Sequence, residues 1–258
     1  MSSFDCCKKG SFHKGTPKGQ EIQLGNLPAY VSGPEDSKAA ILVICDIFGW
    51  RLNNIRVLAD KYAEGVGARV YVPDFFDGEA APADILGDEA KRAAWNLADF
   101  LSRHHPREAA RPLVDHALSE IKGRKHAKVG TIGFCWGAPS VLYLGSDLAP
   151  IQADAIAFAH PSVVEVSDFE KIRVAATFLT CEVDQQLPEE KRLACIKATE
   201  KLVSEGGDRD GKLFIKWVYY PKVVHGFATR GDEGDEFTAK SMADACNQAI
   251  LFFRSELL

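Results

Sequence analysis

Residues 129–140 read Val-Gly-Thr-Ile-Gly-Phe-Cys-Trp-Gly-Ala-Pro-Ser, an apolar β-type run that passes through Gly133-Phe-Cys135-Trp-Gly137 into residues able to begin a helix. A nucleophile presented on a sharp strand-to-helix turn has this pattern. Glycine stands two residues to either side because larger side chains there would collide with the strand or the helix. Cysteine reacts as its thiolate, and the N–H groups at the start of the following helix favour negative charge. The chemistry on offer is attack on a carbonyl carbon.

Such an attack needs a base and a group to steady it. His225, in Lys-Val-Val-His-Gly-Phe, suits the first role: with an ordinary pKa of about 6.5, imidazole takes up a proton and returns it to a leaving group. Asp184 suits the second, since an aspartate on the other ring nitrogen fixes the tautomer and stabilises the imidazolium. Glu182, two residues earlier, competes with it; Asp184 is favoured because it lies past the end of its strand. His160, in Ala-Phe-Ala-His-Pro-Ser, also ends a strand and is the runner-up base, read first as a pocket-lining residue. The oxyanion of a tetrahedral intermediate would face the backbone N–H of Trp136 and a second N–H from the loop after an earlier strand, at Ile47. One such donor is worth about 3 kcal/mol. Phe48, Trp50 and Trp136 are the aromatic candidates for the pocket.

A cysteine at the end of a buried strand is ordinarily a small core residue. The flanking glycines, with an acid and a histidine in order behind them, outweigh that reading for Cys135. Cys6, Cys7, Cys45, Cys181, Cys195 and Cys246 have no comparable setting and read as core or surface filler. His104, His105, His116 and His126 fall on helices or connections and read as solvated.

The elements that must position these residues are visible as apolar runs at 39–49, 68–76, 128–134, 153–161, 174–184 and 213–221. They alternate with helical patterns at 52–64, 108–122, 189–205 and 236–254. Alternation of this kind predicts a mostly parallel sheet, and uniformly apolar strands predict helices on both of its faces. In such an α/β sheet, ligands bind beyond the carboxyl ends of the strands, where Asp46–Trp50, Cys135, Asp184 and His225 all fall. The order nucleophile, acid, histidine is that of the α/β-hydrolase fold, which is the expected architecture. Residues 74–90 mix Pro, Gly and six acids after a strand and read as a cap or rim. Residues 204–212 read as a turn-rich connection.

The chain has 258 residues, 46% of them hydrophobic, enough for one large domain. Residues 1–24 read as a tail packed on a domain formed by 25–258. A formal charge of −5 without basic runs argues against nucleic acid and anionic membranes and points to small-molecule partners. No signal-peptide core or run of about 18 apolar residues is present, so a cytoplasmic protein is expected, as monomer or homodimer. Seven cysteines, an odd number, are poor material for a disulfide framework. Cys6-Cys7 with His13 lacks a second ligand pair at zinc spacing, so no metal is expected. Phosphate-binding glycine loops are absent, so no nucleotide cofactor is expected.

Taken in order, Cys-Asp-Ile-Phe-Gly-Trp, Val-Pro-Asp-Phe-Phe, Gly-Phe-Cys-Trp-Gly, Glu-Val-Asp-Gln-Gln-Leu-Pro and His-Gly-Phe resemble the dienelactone hydrolase family, including its carboxymethylenebutenolidase-like members. The resemblance runs from about residue 25 to the C-terminus. It implies a single-domain hydrolase that opens lactones or esters through Cys135, Asp184 and His225, without metal or organic cofactor. It also implies that Asp46, where bacterial members carry glutamate, contacts the resting thiol and favours its protonated form until substrate arrives. Arg230 and Arg92 are inexact matches to two arginines that grip a substrate carboxylate in bacterial members. Two other readings remain open. One is a ligand-binding scaffold with little turnover. The other is a redox sensor, which needs a resolving cysteine near Cys135 that no CxxC motif supplies.

Overall fold

The computed structural model describes residues 5–206 and 213–258. Most of the connection read at 204–212, and residues 1–4 of the tail, lie outside it. Eight strands form one sheet: β1 (Gln20–Leu24), β2 (Leu27–Ser32), β3 (Ala39–Ile44), β4 (Arg69–Pro73), β5 (Lys128–Cys135), β6 (Ala155–Pro161), β7 (Ala175–Val183) and β8 (Ile215–Val224). Their order is β1-β2-β4-β3-β5-β6-β7-β8, with β2 antiparallel to both its neighbours and the remaining pairs parallel. All of β3 and β6, and all but the first residue of β5, are buried, as a sheet covered on both faces requires.

The helices are α1 (Asn53–Val66), α2 (Glu89–Ala94), α3 (Leu97–Arg103), α4 (Arg111–Lys122), α5 (Ala138–Leu144), α6 (Val166–Phe169), α7 (Glu189–Ser204), α8 (Phe227–Arg230) and α9 (Glu236–Leu257). One layer is made by α1, α8 and α9, and the other by α4, α5, α6 and α7. The architecture is thus the mostly parallel α/β sheet flanked by helices that the alternation predicts. Boundaries follow local chemistry. Asp88 and Asp235 cap α2 and α9 by accepting backbone N–H groups, and α1 ends at Gly67 in the left-handed region. No helix among the described residues is long and apolar enough to cross a membrane.

Gln20–Leu24, placed in the tail by the sequence reading, pairs with β2 as the edge strand. Before it, the chain makes a single 3-10 turn at Asp5–Lys8 and then passes without regular structure along α1 and α8. Asn54 fixes that run, accepting from His13 N–H at 3.0 Å and donating to Ser11 O and Thr229 O at 2.9 Å. Its consequence is that the Asp5–Lys8 turn reaches the carboxyl ends of the strands, where the site residues lie.

Candidate active site

Strand β5 enters α5 through Cys135, whose φ of +50° is a conformation that side chains seldom adopt. The register with β6 shifts between Phe134 and Cys135, which turns the sulfur out of the ladder. Glycine is obligatory on both sides. A Cβ on Gly133 would sit 2.7 Å from Gly137 O, and one on Gly137 would sit 2.2 Å from Ile44 O. Cys135 is 1% exposed, and its Sγ lies 3.1 Å from Ser162 Oγ. Ile47, Trp136, Ser162 and Cys7 border the narrow crevice at the sulfur.

After β7 and β8 the chain brings the acid and the histidine together. His225 Nδ1 is 2.9 Å from Asp184 Oδ1, and the same oxygen accepts N–H groups from Gln186 and Leu187 at 2.8 and 3.2 Å. Glu182 faces solvent instead and accepts from Lys222 N–H at 2.6 Å. Burial alone would depress the His225 imidazole, but the Asp184 carboxylate and the Cys135 sulfur hold its pKa well above the ordinary value. Burial alone would raise the Cys135 thiol. A hydrogen bond from Cys7 and the charges of His225 and Arg230 bring it well below the ordinary value. Both directions describe a thiolate beside an imidazolium, each stabilising the other's charge where water cannot screen it.

The two N-terminal cysteines, read as filler from the sequence, are part of this cluster. Cys7 Sγ lies 3.6 Å from His225 Nε2 and 3.4 Å from Ser162 Oγ. Cys7's hydrogen bonds to Cys135 and Cys6 keep its own thiol protonated, with a pKa well above the ordinary value. Cys6 is half-buried beside it, and the hydrogen bond from Cys7 pulls its pKa down to about 7 against the effect of burial. His13 is directed elsewhere, with Nε2 2.9 Å from Gly231 O. The fold supplies His225 in its place, so that ligand atoms of Cys6, Cys7 and His225 lie within 4.8 Å of one another. Two sulfurs and an imidazole are donors suited to a soft cation such as zinc.

Asp46 and Arg230, given separate roles by the resemblance, meet as a buried ion pair. Asp46 Oδ2 accepts from Arg230 Nη1 and, at 2.9 Å, from Thr229 Oγ1, while Oδ1 accepts from Phe48 N–H at 3.0 Å. The rest of the guanidinium donates to Lys9 O at 3.1 Å and Cys7 O at 3.2 Å, and its carbon lies 5.1 Å from the Phe48 ring centroid. Arg230 therefore ties the Asp5–Lys8 turn to the loop after β3. Trp50 is buried under the guanidiniums of Arg51 and Arg56, at 5.0 and 4.9 Å. His160 is buried with φ +38°, its ring 5.1 Å from that of His225. Neither of its ring nitrogens has a hydrogen-bond partner among the described residues. Burial, with the charges of His225 and Arg230, holds it neutral.

A cavity of about 340 Å³ opens beside His225 and Cys6, with Lys8, Lys9 and Arg92 on its wall. Arg92 is held there by bonds to Ile85 O and Leu86 O at 3.3 and 3.4 Å. Leu97, Leu101 and Pro106 complete the crevice, and residues 74–90 reach it through Phe76 behind Trp136. Phe76 packs on Trp136 at 4.7 Å between centroids, and the Trp136 indole N–H donates to His104 O at 2.7 Å. His104 is thus not a solvated helix residue. Its ring lies against Phe76 and Phe100, and Nε2 meets Glu79 at 3.0 Å. Ser162, two residues past His160, carries no motif of its own; only its place just beyond a strand end could have drawn attention to it.

A mostly parallel sheet between helical layers, with cysteine, acid and histidine at the ends of β5, β7 and β8, is the α/β-hydrolase fold. The chain belongs to the dienelactone hydrolase family, whose model matches residues 27–257. Hydrolase tropI of Talaromyces stipitatus is 30% identical over 258 residues, covering 98% of this chain and 96% of its own. Dienlactone hydrolase 1 of Gibberella moniliformis is 32% identical over 233 residues, covering 87% and 83%. A carboxymethylenebutenolidase homolog of Rattus norvegicus is 34% identical over 175 residues, covering 67% of each chain. The solved dienelactone hydrolase of Anabaena variabilis superposes with a TM-score of 0.60 at 14% identity, over 95% of this chain and 100% of that one. This is a hydrolase family, and membership implies a small-molecule substrate.

Proposed function

We propose that the chain, through a domain spanning residues 25–258 with the preceding segment packed on it, opens small lactones or cleaves activated esters by covalent catalysis at Cys135. The observation that carries this reading is the 2.9 Å bond between His225 Nδ1 and Asp184 Oδ1, with the elbow sulfur buried in the same cluster. The Cys135 thiolate attacks the carbonyl carbon, and the oxyanion is held by the backbone N–H groups of Trp136 and Ile47, two residues that border the crevice. Collapse breaks the acyl–oxygen bond, and the His225 imidazolium protonates the departing oxygen. In a lactone this opens the ring and leaves an acyl-thioester on the enzyme. His225, now neutral, takes a proton from water, which attacks the thioester and returns the thiol. Asp184 keeps the imidazole in one tautomer throughout.

Arg230 spends its guanidinium on Asp46 and on main-chain carbonyls. In this reading, recognition of a substrate carboxylate therefore falls to Arg92 with Lys8 and Lys9 on the wall of the 340 Å³ cavity, a volume suited to a small molecule. The test is turnover of a panel of lactones and aryl esters by the wild type and Cys135→Ala side by side. Equal rates would sink the proposal. A second reading, ligand binding without turnover, draws on the burial of Cys135, 1% exposed at a crevice that Cys7 also borders. Under it Cys135 resists iodoacetamide near neutral pH; under the catalytic reading it is alkylated, more slowly in His225→Ala.

A further inference from the structure

The proposed mechanism uses one thiol, yet the cluster contains a second, in contact with Ser162 and with His225. Cys7 Sγ is 3.4 Å from Ser162 Oγ and Cys135 Sγ is 3.1 Å from the same oxygen, so one hydroxyl touches both sulfurs and the two thiols border one crevice. His225 Nε2, the nitrogen facing the cluster, lies 3.6 Å from Cys7 Sγ. Cys7 arrives on a four-residue turn that joins no strand and is held by Arg230 through the carbonyls of Cys7 and Lys9. Its side chain borders the crevice at Cys135, a space of about 10 Å³, roughly that of one water molecule. Hydrogen peroxide, little larger than water, needs far less room there than a lactone does.

We propose that Cys7 is a resolving thiol for Cys135: a hydroperoxide oxidises Cys135, and Cys7 closes a disulfide onto it that shuts the site until a thiol reductant reopens it. The inference rests on the proposed function's reading of Cys135 as a nucleophile and on the placement of both sulfurs against Ser162 Oγ. In the first step the thiolate attacks the peroxide oxygen and the O–O bond breaks. Sulfur loses two electrons to become the sulfenic acid, and the leaving alkoxide or hydroxide takes the His225 proton. In the second step Cys7 gives its proton to His225 Nε2 and attacks the Cys135 sulfur. The S–O bond breaks, and hydroxide leaves as water with that proton. Two equivalents of an external thiol reverse the bond, the first forming a mixed disulfide and the second releasing it. Cys45, Cys181, Cys195 and Cys246 offer no rival, since none of them borders the crevice at Cys135 as Cys7 does.

The test uses the full chain as wild type, Cys6→Ser and Cys7→Ser, each treated with hydrogen peroxide and then dithiothreitol. Activity is expressed relative to each protein's own untreated rate, and peptides are mapped by mass without reduction. Wild type and Cys6→Ser are expected to lose activity and regain it. Their maps should show the Cys7 peptide joined to the Cys135 peptide with the loss of two hydrogens. Cys7→Ser is expected to lose activity without recovery, its Cys135 peptide gaining two oxygens as the sulfinic acid. Recovery of Cys7→Ser like that of wild type, or oxidised wild type without the Cys7–Cys135 link, would overturn the proposal. The map needs no substrate, so a link found in a protein that hydrolyses nothing would leave this inference standing and remove the catalytic one.

Discussion

His225 Nδ1 and Asp184 Oδ1 are 2.9 Å apart with both side chains sealed from solvent. Whenever the ring is neutral, as it is after protonating the leaving group, such a bond to a carboxylate keeps the remaining proton on Nδ1. Nε2 is thereby left toward Cys7 and the Cys135 sulfur. Asp184→Asn keeps the shape but lets the amide donate, which favours the wrong tautomer. Its kcat on a responsive lactone should fall by about 10³–10⁴-fold with the far-UV circular dichroism unchanged. A loss of tenfold or less would mean that the tautomer does not matter.

The pH profile follows from the two opposed shifts. Cys135 lies well below its ordinary pKa and His225 well above, so the reactive ion pair forms as pH rises through the first value and is lost as pH rises through the second. The plateau should therefore extend to the acid side of what a free thiol allows. Iodoacetamide should alkylate Cys135 at about pH 6, where a thiol of pKa about 8.5 is almost wholly protonated. His225→Ala should move the midpoint of that reaction toward the ordinary thiol value. An alkylation curve centred near pH 8.5 in the wild type would contradict the ion pair.

Arg230→Met would strand Asp46, leaving a buried carboxylate without its partner. The expected cost is about 3–5 kcal/mol of unfolding free energy, read from urea denaturation. Asp46→Asn combined with Arg230→Met should recover part of that loss, since the charge is removed along with its partner. The same substitution frees the carbonyls of Cys7 and Lys9. Cys7 should accordingly become more accessible to a thiol reagent even at temperatures where the fold persists.

What the sequence made legible was set by local pattern. The strands through Ile41, Ile132 and Phe158 are uniformly apolar and the four long helices are periodic, so the layers could be drawn. Cys135, Asp184 and His225 each stand where an apolar run stops, so their placement at strand ends could also be drawn. Contacts made across the chain could not. Cys7 and His225 are 218 positions apart and Asp46 and Arg230 are 184 apart, and nothing in their neighbours marks either pair. The edge strand Gln20–Leu24 is largely exposed and carries two glutamines and a glutamate, which hide it from an apolar search.

Gly137→Ala tests the elbow at its tightest point. The added methyl would lie 2.2 Å from Ile44 O, a backbone atom that cannot turn aside as a side chain can. The strand β3 would have to move away from β5, and a loss above about 4 kcal/mol is expected, seen as insoluble expression or a collapsed melting transition. Trp136→Phe, which keeps the ring and removes the bond to His104 O, should cost only about 1 kcal/mol.

Arg92→Ala separates binding from chemistry. Arg92 reaches the 340 Å³ cavity from α2, and its donors to Ile85 O and Leu86 O orient the guanidinium without neutralising it. A substrate carboxylate held there would gain a charge-assisted bond in both the ground and the transition state. Loss of one such bond, about 1.5 kcal/mol, raises KM roughly tenfold and leaves kcat alone. Neutral aryl esters, having no carboxylate to hold, should keep both constants, so the ratio of the two substrates' kcat/KM is the quantity to measure. An equal loss on charged and neutral substrates would assign Arg92 to the structure of the wall, with the carboxylate held by Lys8 or Lys9 or not at all.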